Sequence, residues 1–102
     1  MEWFNYLAIF FSGVFFANTV PHYIKGIAGD KFPTPFAKPP GKGLSSPLTN
    51  VLWAGLNLAI GFVSFKASKI ETDNYLAWFI FFAGIMAISI QLGIHFSGKD
   101  KE

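Results

Sequence analysis

At 102 residues the chain is long enough for one small domain and too short for a catalytic domain joined to a regulatory one. Hydrophobic residues make up 52% and only 14% are charged, against about a quarter in an ordinary water-soluble domain, so a fold wetted on all sides is excluded. Eight lysines, no arginine and a net charge of +2 give no basic patch for nucleic acid, and the absence of cysteine excludes disulfides, thiolate metal centres, iron–sulfur clusters and cysteine nucleophiles.

The charges fall in four short blocks: Glu2; Lys25 to Lys42; Lys66 to Asp73; and Lys99 to Glu102. Between them lie three uncharged stretches, each at or above the roughly 20 residues that cross a hydrocarbon core as helix. The expected fold is all-α integral membrane, a single transmembrane domain over 1–102. Its helices are expected at about 3–25, 47–65 and 75–96, with a long Pro/Gly-rich loop at 26–46 between the first two. A soluble helical bundle is the competing architecture, but from Phe4 to Phe16 apolar residues occupy every direction of the helical wheel and leave no polar stripe for water.

The first helix begins after Glu2 instead of a basic region and is longer than the apolar core of a cleaved signal, so it is read as retained. Gly26 is expected to cap its C-terminus. Along it, Asn5, Ala8, Ser12, Thr19 and His22 share a face, with Asn18 one step away. Pro21 removes the backbone bond to the Ala17 carbonyl, which either kinks the helix beside a hydrated vestibule or marks a frayed end at the interface.

The loop holds four of the six prolines and four of the ten glycines. Proline fixes its own φ and pushes the preceding residue towards extended geometry, so residues 32–36 are expected to be irregular and extended. A tether or a Pro-rich partner motif would fit that composition. Ile27, Phe32, Phe36 and Leu44 are apolar residues that a disordered linker tends to lack, so the loop is expected to fold over the helix ends.

Ser46 followed by Pro47 reads as N-cap and first position of the second helix, and Lys66 and Lys69 sit at the negative end of its dipole. Asn50, Ala54, Asn57, Gly61 and Ser64 form a stripe at spacings of four and three. Thr72, Asp73 or Asn74 can cap the third helix, which carries Ala77, Gly84, Ala87, Gln91 and His95 on roughly one face and stops at Gly98. Small residues let membrane helices approach and polar ones bond across the contact. Ser12, Asn57, Gly61, Ser64, Gly84 and Ala87 are therefore the expected packing residues, within the chain or against further copies.

Six lysines flank the first loop and the tail, against two at the second loop, so the first loop and the C-terminus are expected in the cytoplasm, with the N-terminus outside an inner (plasma) membrane. Trp3, Tyr6, Tyr75 and Trp78 would form the outer aromatic belt, with Tyr23 and Trp53 towards the inner one. The first and third helices run the same way, which brings His22, His95, Asn18, Asn50 and Gln91 to one depth. This candidate polar cluster is expected to face a shared pocket under the loop. Its alternatives are two histidines merely meeting headgroups, a proton-responsive site, a metal site short of ligands and a bis-histidine haem.

The runs Asn18-Thr-Val-Pro-His-Tyr-Ile-Lys-Gly-Ile-Ala-Gly, Phe32-Pro-Thr-Pro-Phe, Pro40-Gly-Lys-Gly-Leu-Ser-Ser-Pro and Asn50-Val-Leu-Trp cover about the middle third of the chain. In them the sequence resembles a group of small bacterial three-helix membrane proteins with no assigned function, and the resemblance implies no activity or site residue.

No span contains a carboxylate, and no nucleophile motif or phosphate-binding loop is present, so an enzyme is not expected and neither catalytic residues nor cofactors are assigned. The expected function is a small membrane protein acting by association, as a self-oligomer or an accessory subunit of a larger membrane complex. Its partners would be the lipid bilayer and a second copy or another membrane protein, without nucleic acid. The alternatives are an oligomeric transporter or channel for ions or small solutes with a polar path between helices, and a histidine-based metal- or haem-binding subunit.

Overall fold

Each uncharged stretch folds as one helix. In the computed structural model, which describes residues 1–99, the elements are α1 (Trp3–Ile27), α2 (Pro47–Ser68) and α3 (Tyr75–Phe96). Asp100, Lys101 and Glu102, counted above in the tail charge and in the 1–102 domain, lie outside the described residues. All three helices are long and apolar enough to cross a membrane. At 1.5 Å per residue, 22 residues reach about 33 Å, the thickness of a hydrocarbon core. The chain is an all-α, multi-pass membrane protein.

The helix starts follow local chemistry. Ser46 accepts from the Thr49 backbone N–H, and Pro47 takes the first position of α2, where its missing N–H costs nothing. Asn74 is the residue that caps α3, accepting from the Ala77 N–H. Glu2 and Asn5 form a reciprocal cap at the start of α1.

Two helix ends differ from expectation. α1 does not stop at Gly26 but runs to Ile27, because Gly26 is a packing residue: a Cβ there would lie 2.6 Å from Val51 Cγ2 and 2.9 Å from the Pro47 carbonyl. The chain turns instead at Gly29, with φ +79°. α2 passes residue 65 and ends at Ser68, since Lys66-Ala67-Ser68 contains nothing that breaks a helix, and Lys69 adopts the left-handed conformation that terminates it. α1 also continues through Pro21 without interruption.

α1 is the central helix and packs along both others. Against α3 the approach is backbone to backbone: Gly13 lies on the Phe81 carbonyl and Gly84 on that of Phe10. Against α2, Gly61 receives the Phe16 ring, with Cδ1 2.7 Å from where a Cβ would stand. Phe16 then bridges the bundle, edge-on to Phe62 at 5.1 Å and to Phe81 at 6.1 Å.

Burial is inverted relative to a water-soluble bundle. The buried helix positions are mostly polar or small, among them Asn5, Ser12, His22, Asn50, Asn57, Ser68, Ala54 and Ala77, with Ile9 as the large apolar exception. The outer faces carry exposed Leu52, Val63, Phe79 and Ile94. That is the distribution of helices whose exterior solvent is hydrocarbon. Of the expected packing residues, Ser12, Asn57, Gly61 and Gly84 are buried and Ser64 is half-buried. Ala87 is exposed, a correction to the α3 seam: contact with α1 runs through Phe81, Gly84 and Ile85 and on to Leu92, leaving Ala87 on the outer side.

Gly61→Leu is expected to lower unfolding stability in detergent by about 1–3 kcal/mol, because Phe16 already fills the space a side chain would need. Gly55→Leu, on the same helix with nothing within 4 Å, should leave the melting curve unchanged. Equal thermal stability of the two variants would contradict this packing.

Candidate functional site

The candidate site is built around the Asn50 side chain at the first turn of α2. Its Nδ2 donates to the carbonyls of Phe32 at 2.9 Å, Ser45 at 3.3 Å and Ser46 at 3.1 Å. Three carbonyl partners fix the amide orientation, so Oδ1 points the other way, 2.8 Å from His22 Nδ1. An amide oxygen only accepts; His22 Nδ1 therefore carries the proton and donates. The tautomer is assigned from this network, and it leaves Nε2 with a free lone pair.

The same residue ties down the loop. Phe32 and Ser45 exchange backbone hydrogen bonds at 3.3 and 3.0 Å as an isolated antiparallel bridge, and the Thr34 and Ser45 hydroxyls meet at 2.6 Å. Between them the chain folds on itself, with the Ala37 and Gly41 N–H groups on the Thr34 carbonyl and those of Lys42 and Gly43 on that of Pro39. Phe32, Pro33, Thr34 and Ala37 are buried. The loop is thus a compact cap over the bundle end, and its exposed Phe36 stands edge-on to Trp53 at 5.4 Å.

His95, in the last turn of α3, reaches up to this cap. Its Nε2 lies 2.6 Å from the Gly41 carbonyl, so Nε2 donates; in the neutral ring Nδ1 then holds the lone pair. Gly41 has φ +71°, and a Cβ there would lie 3.1 Å from His95 Nε2; both the turn and the approach require glycine.

Between the cap, α1 and α3 lies a cavity of about 190 Å³. Asn18, His22, Gln91 and His95 supply its polar lining, and Trp53 and Phe96 its aromatic walls. Pro33 to Pro35 and Gly41 close it from the loop side. His22 is 2% exposed, and its ring packs edge-on to Phe32, Trp53 and Phe96 at 5.5–6.3 Å. Its Nε2 has no hydrogen-bond partner among the described residues, yet no buried side-chain N or O atom there lacks one. Nε2 is therefore reached from the cavity.

Of the expected cluster, His22 and Asn50 are directly bonded, and Asn18, His22, Gln91 and His95 share the cavity. Asn50 sits behind His22 and contacts that imidazole alone, so it forms no bridge between the two histidines. Gln91 and His95 are exposed, and Gln91 makes no hydrogen bond to the described residues. The wall residues Trp53 and Phe96 were not assigned to the site from sequence, although Trp53 lies three residues after Asn50 and Phe96 directly follows His95. Spacing placed Trp53 at the lipid interface, and only the folded loop turns its surroundings into a cavity wall.

Down the α1–α2 contact three further side chains of α1 bond across to α2. Asn18 Nδ2 donates to Asn57 Oδ1 at 2.9 Å, the Ser12 hydroxyl to the Gly61 carbonyl at 2.8 Å and Asn5 Nδ2 to the Ala67 carbonyl at 3.3 Å. Among the described residues no three His, Cys, Asp or Glu side chains gather as a metal set. Searches of protein families, of curated proteins and of solved structures found no match to this chain, so the resemblance of the loop motifs brings neither fold nor function to it.

Proposed function

We propose that this chain is a non-enzymatic membrane protein that works by binding, and that its binding element is the loop-capped cavity at the His22 end of the bundle. The observation that carries the reading is the unpaired Nε2 of an otherwise buried histidine, opening on a cavity with aromatic walls. An imidazole lone pair that faces a cavity and has no partner in the protein is open to a hydrogen bond from a ligand there. The cap supports the reading too, since it is folded by its own hydrogen bonds and does not need a ligand to order it.

Self-association or an accessory-subunit role draws on the apolar outer faces of α2 and α3. The small and polar stripes give it little support, because Ser12, Asn57, Gly61 and Gly84 are spent on contacts within one chain. A transport path within one protomer meets the same obstacle, as the polar groups along α1 are bonded to α2 and line no continuous channel among the cavities described. The metal or haem alternative has two imidazole nitrogens at this site and, among the described residues, no third His, Cys, Asp or Glu beside them.

The lysine asymmetry, six against two, supports an inner (plasma) membrane location with the capped end and C-terminus in the cytoplasm. In this cysteine-free chain Lys38→Cys and Thr72→Cys report orientation directly. An impermeant thiol reagent added to intact cells should label residue 72 and spare residue 38; the reverse pattern inverts the topology.

Native mass spectrometry from native lipid tests the binding reading. The chain should carry a small non-covalent adduct that is lost in His22→Leu and kept in Gly55→Leu. A spectrum free of any small-molecule adduct, with only copies of the chain or other subunits attached, would replace this reading with association.

A further inference from the structure

The capped cavity does not stand alone. A second, apolar cavity of about 520 Å³ lies between α1 and α3, lined by Phe16, Val20, Pro21, Ile85 and Leu92 among others. Leu92 lines both. From that residue one cavity leads towards His95 and the cap, while the other runs one to two turns back along α3 towards Ile85, into the apolar span. The two adjoining cavities differ sharply in chemistry: hydrogen-bonding groups and rings at the end, aliphatic and aromatic carbon towards the middle.

The lining restricts what a head group in the capped cavity could be. Among the described residues no Lys, Asp or Glu lines either cavity. A phosphate head would meet no lysine in that lining and an ammonium head no carboxylate. An uncharged head fits it best. His22 Nε2 and His95 Nδ1 are lone pairs and require a donor, which for a neutral oxygen compound is a hydroxyl. Gln91 and the Trp53 indole N–H have no partner among the described residues and can serve a second oxygen. Walls of His22, Trp53 and Phe96 favour a flat ring, which meets them in edge or stacked contact, and about 190 Å³ is below the 300 Å³ or so of a drug-sized pocket.

Building on the binding role proposed above, we infer that the two neighbouring cavities together hold a membrane-dissolved amphiphile with a single hydroxylated ring as head and an apolar chain as tail, a quinol- or phenol-headed lipid. The ring hydroxyl donates to His22 Nε2, and the chain lies in the α1–α3 groove beyond Leu92. No electron transfer is involved; the site recognises the hydroxyl, and so takes the reduced quinol in preference to the oxidised quinone.

The experiment uses the full chain in lipid nanodiscs with Trp3→Phe and Trp78→Phe, so that Trp53 alone reports. Decyl-benzoquinol should quench Trp53 saturably, and at least tenfold more tightly than decyl-benzoquinone or tail-free benzoquinol. 1-Decanol should displace it only at tenfold or greater excess. His22→Phe should weaken quinol binding tenfold or more. Because that variant also breaks the bond to Asn50, Leu92→Phe is the companion: it narrows the passage without adding a second tryptophan and should bring decyl-benzoquinol down to the affinity of the tail-free head.

Equal affinity for quinol and quinone, or equally effective competition by decanol, overturns the assigned ligand class. If native mass spectrometry still shows a His22-dependent adduct in that case, the binding role stands and the class alone is wrong. If no adduct is found either, both fall.

Discussion

A side-chain amide buried among membrane helices has no water to fall back on, so each of its hydrogen-bonding groups must find a partner in the protein or cost the desolvation of an unpaired polar atom. Asn50 meets that demand with three carbonyls on one side and an imidazole on the other. Its partners come from the loop, from its own helix and from α1. The position of the cap, the tautomer of His22 and the lone pair offered to the cavity all follow from this one side chain. An apolar residue there would leave His22 Nδ1–H and the Phe32 carbonyl without it, and nothing else described holds the loop to α1 in the same way.

The rest of the bundle follows the same logic in weaker form. Ser12, Asn18 and Asn5 each reach across to α2, so polar groups that look alarming in an apolar sequence become the register marks of the helix pair. On the other side of α1 the marks are glycines, Gly13 and Gly84, which bring backbone against backbone. α3 is held chiefly at that crossing. Beyond it lies the apolar cavity beside Pro21, and α3 returns to the rest of the protein through Leu92, His95 and Phe96.

Much of this was legible from residues alone. Charge blocks marked the three spans because lysines and carboxylates do not enter hydrocarbon, and the Asn50–Ser64 stripe marked the buried face of α2 because membrane helices bury small and polar residues. Parallel α1 and α3 put His22 and His95 at one depth. What spacing could not supply is partner choice. That Asn50 bonds His22 but not His95 depends on loop residues Phe32 and Ser45 closing behind it. That Gly26 packs against Val51, while Gly29 makes the turn, depends on where α2 enters. Ala87 shared the period of its neighbours yet faces outward, since a helical period fixes a face only to within the width of the contact. The stripes were also silent on whether their partners lay in the same chain or in another; here the same chain supplies them.

The most direct measurement of the account is a double-mutant cycle on His22 and Asn50, using His22→Leu, Asn50→Leu and the pair, with reversible unfolding followed in bicelles. If the Asn50 amide organises both the imidazole and the cap, each single change leaves the other's polar atoms unpaired and the double change removes both. The account predicts a double variant more stable than the sum of the two losses by about 0.5–3 kcal/mol. Strict additivity, with no coupling between the two positions, would contradict it.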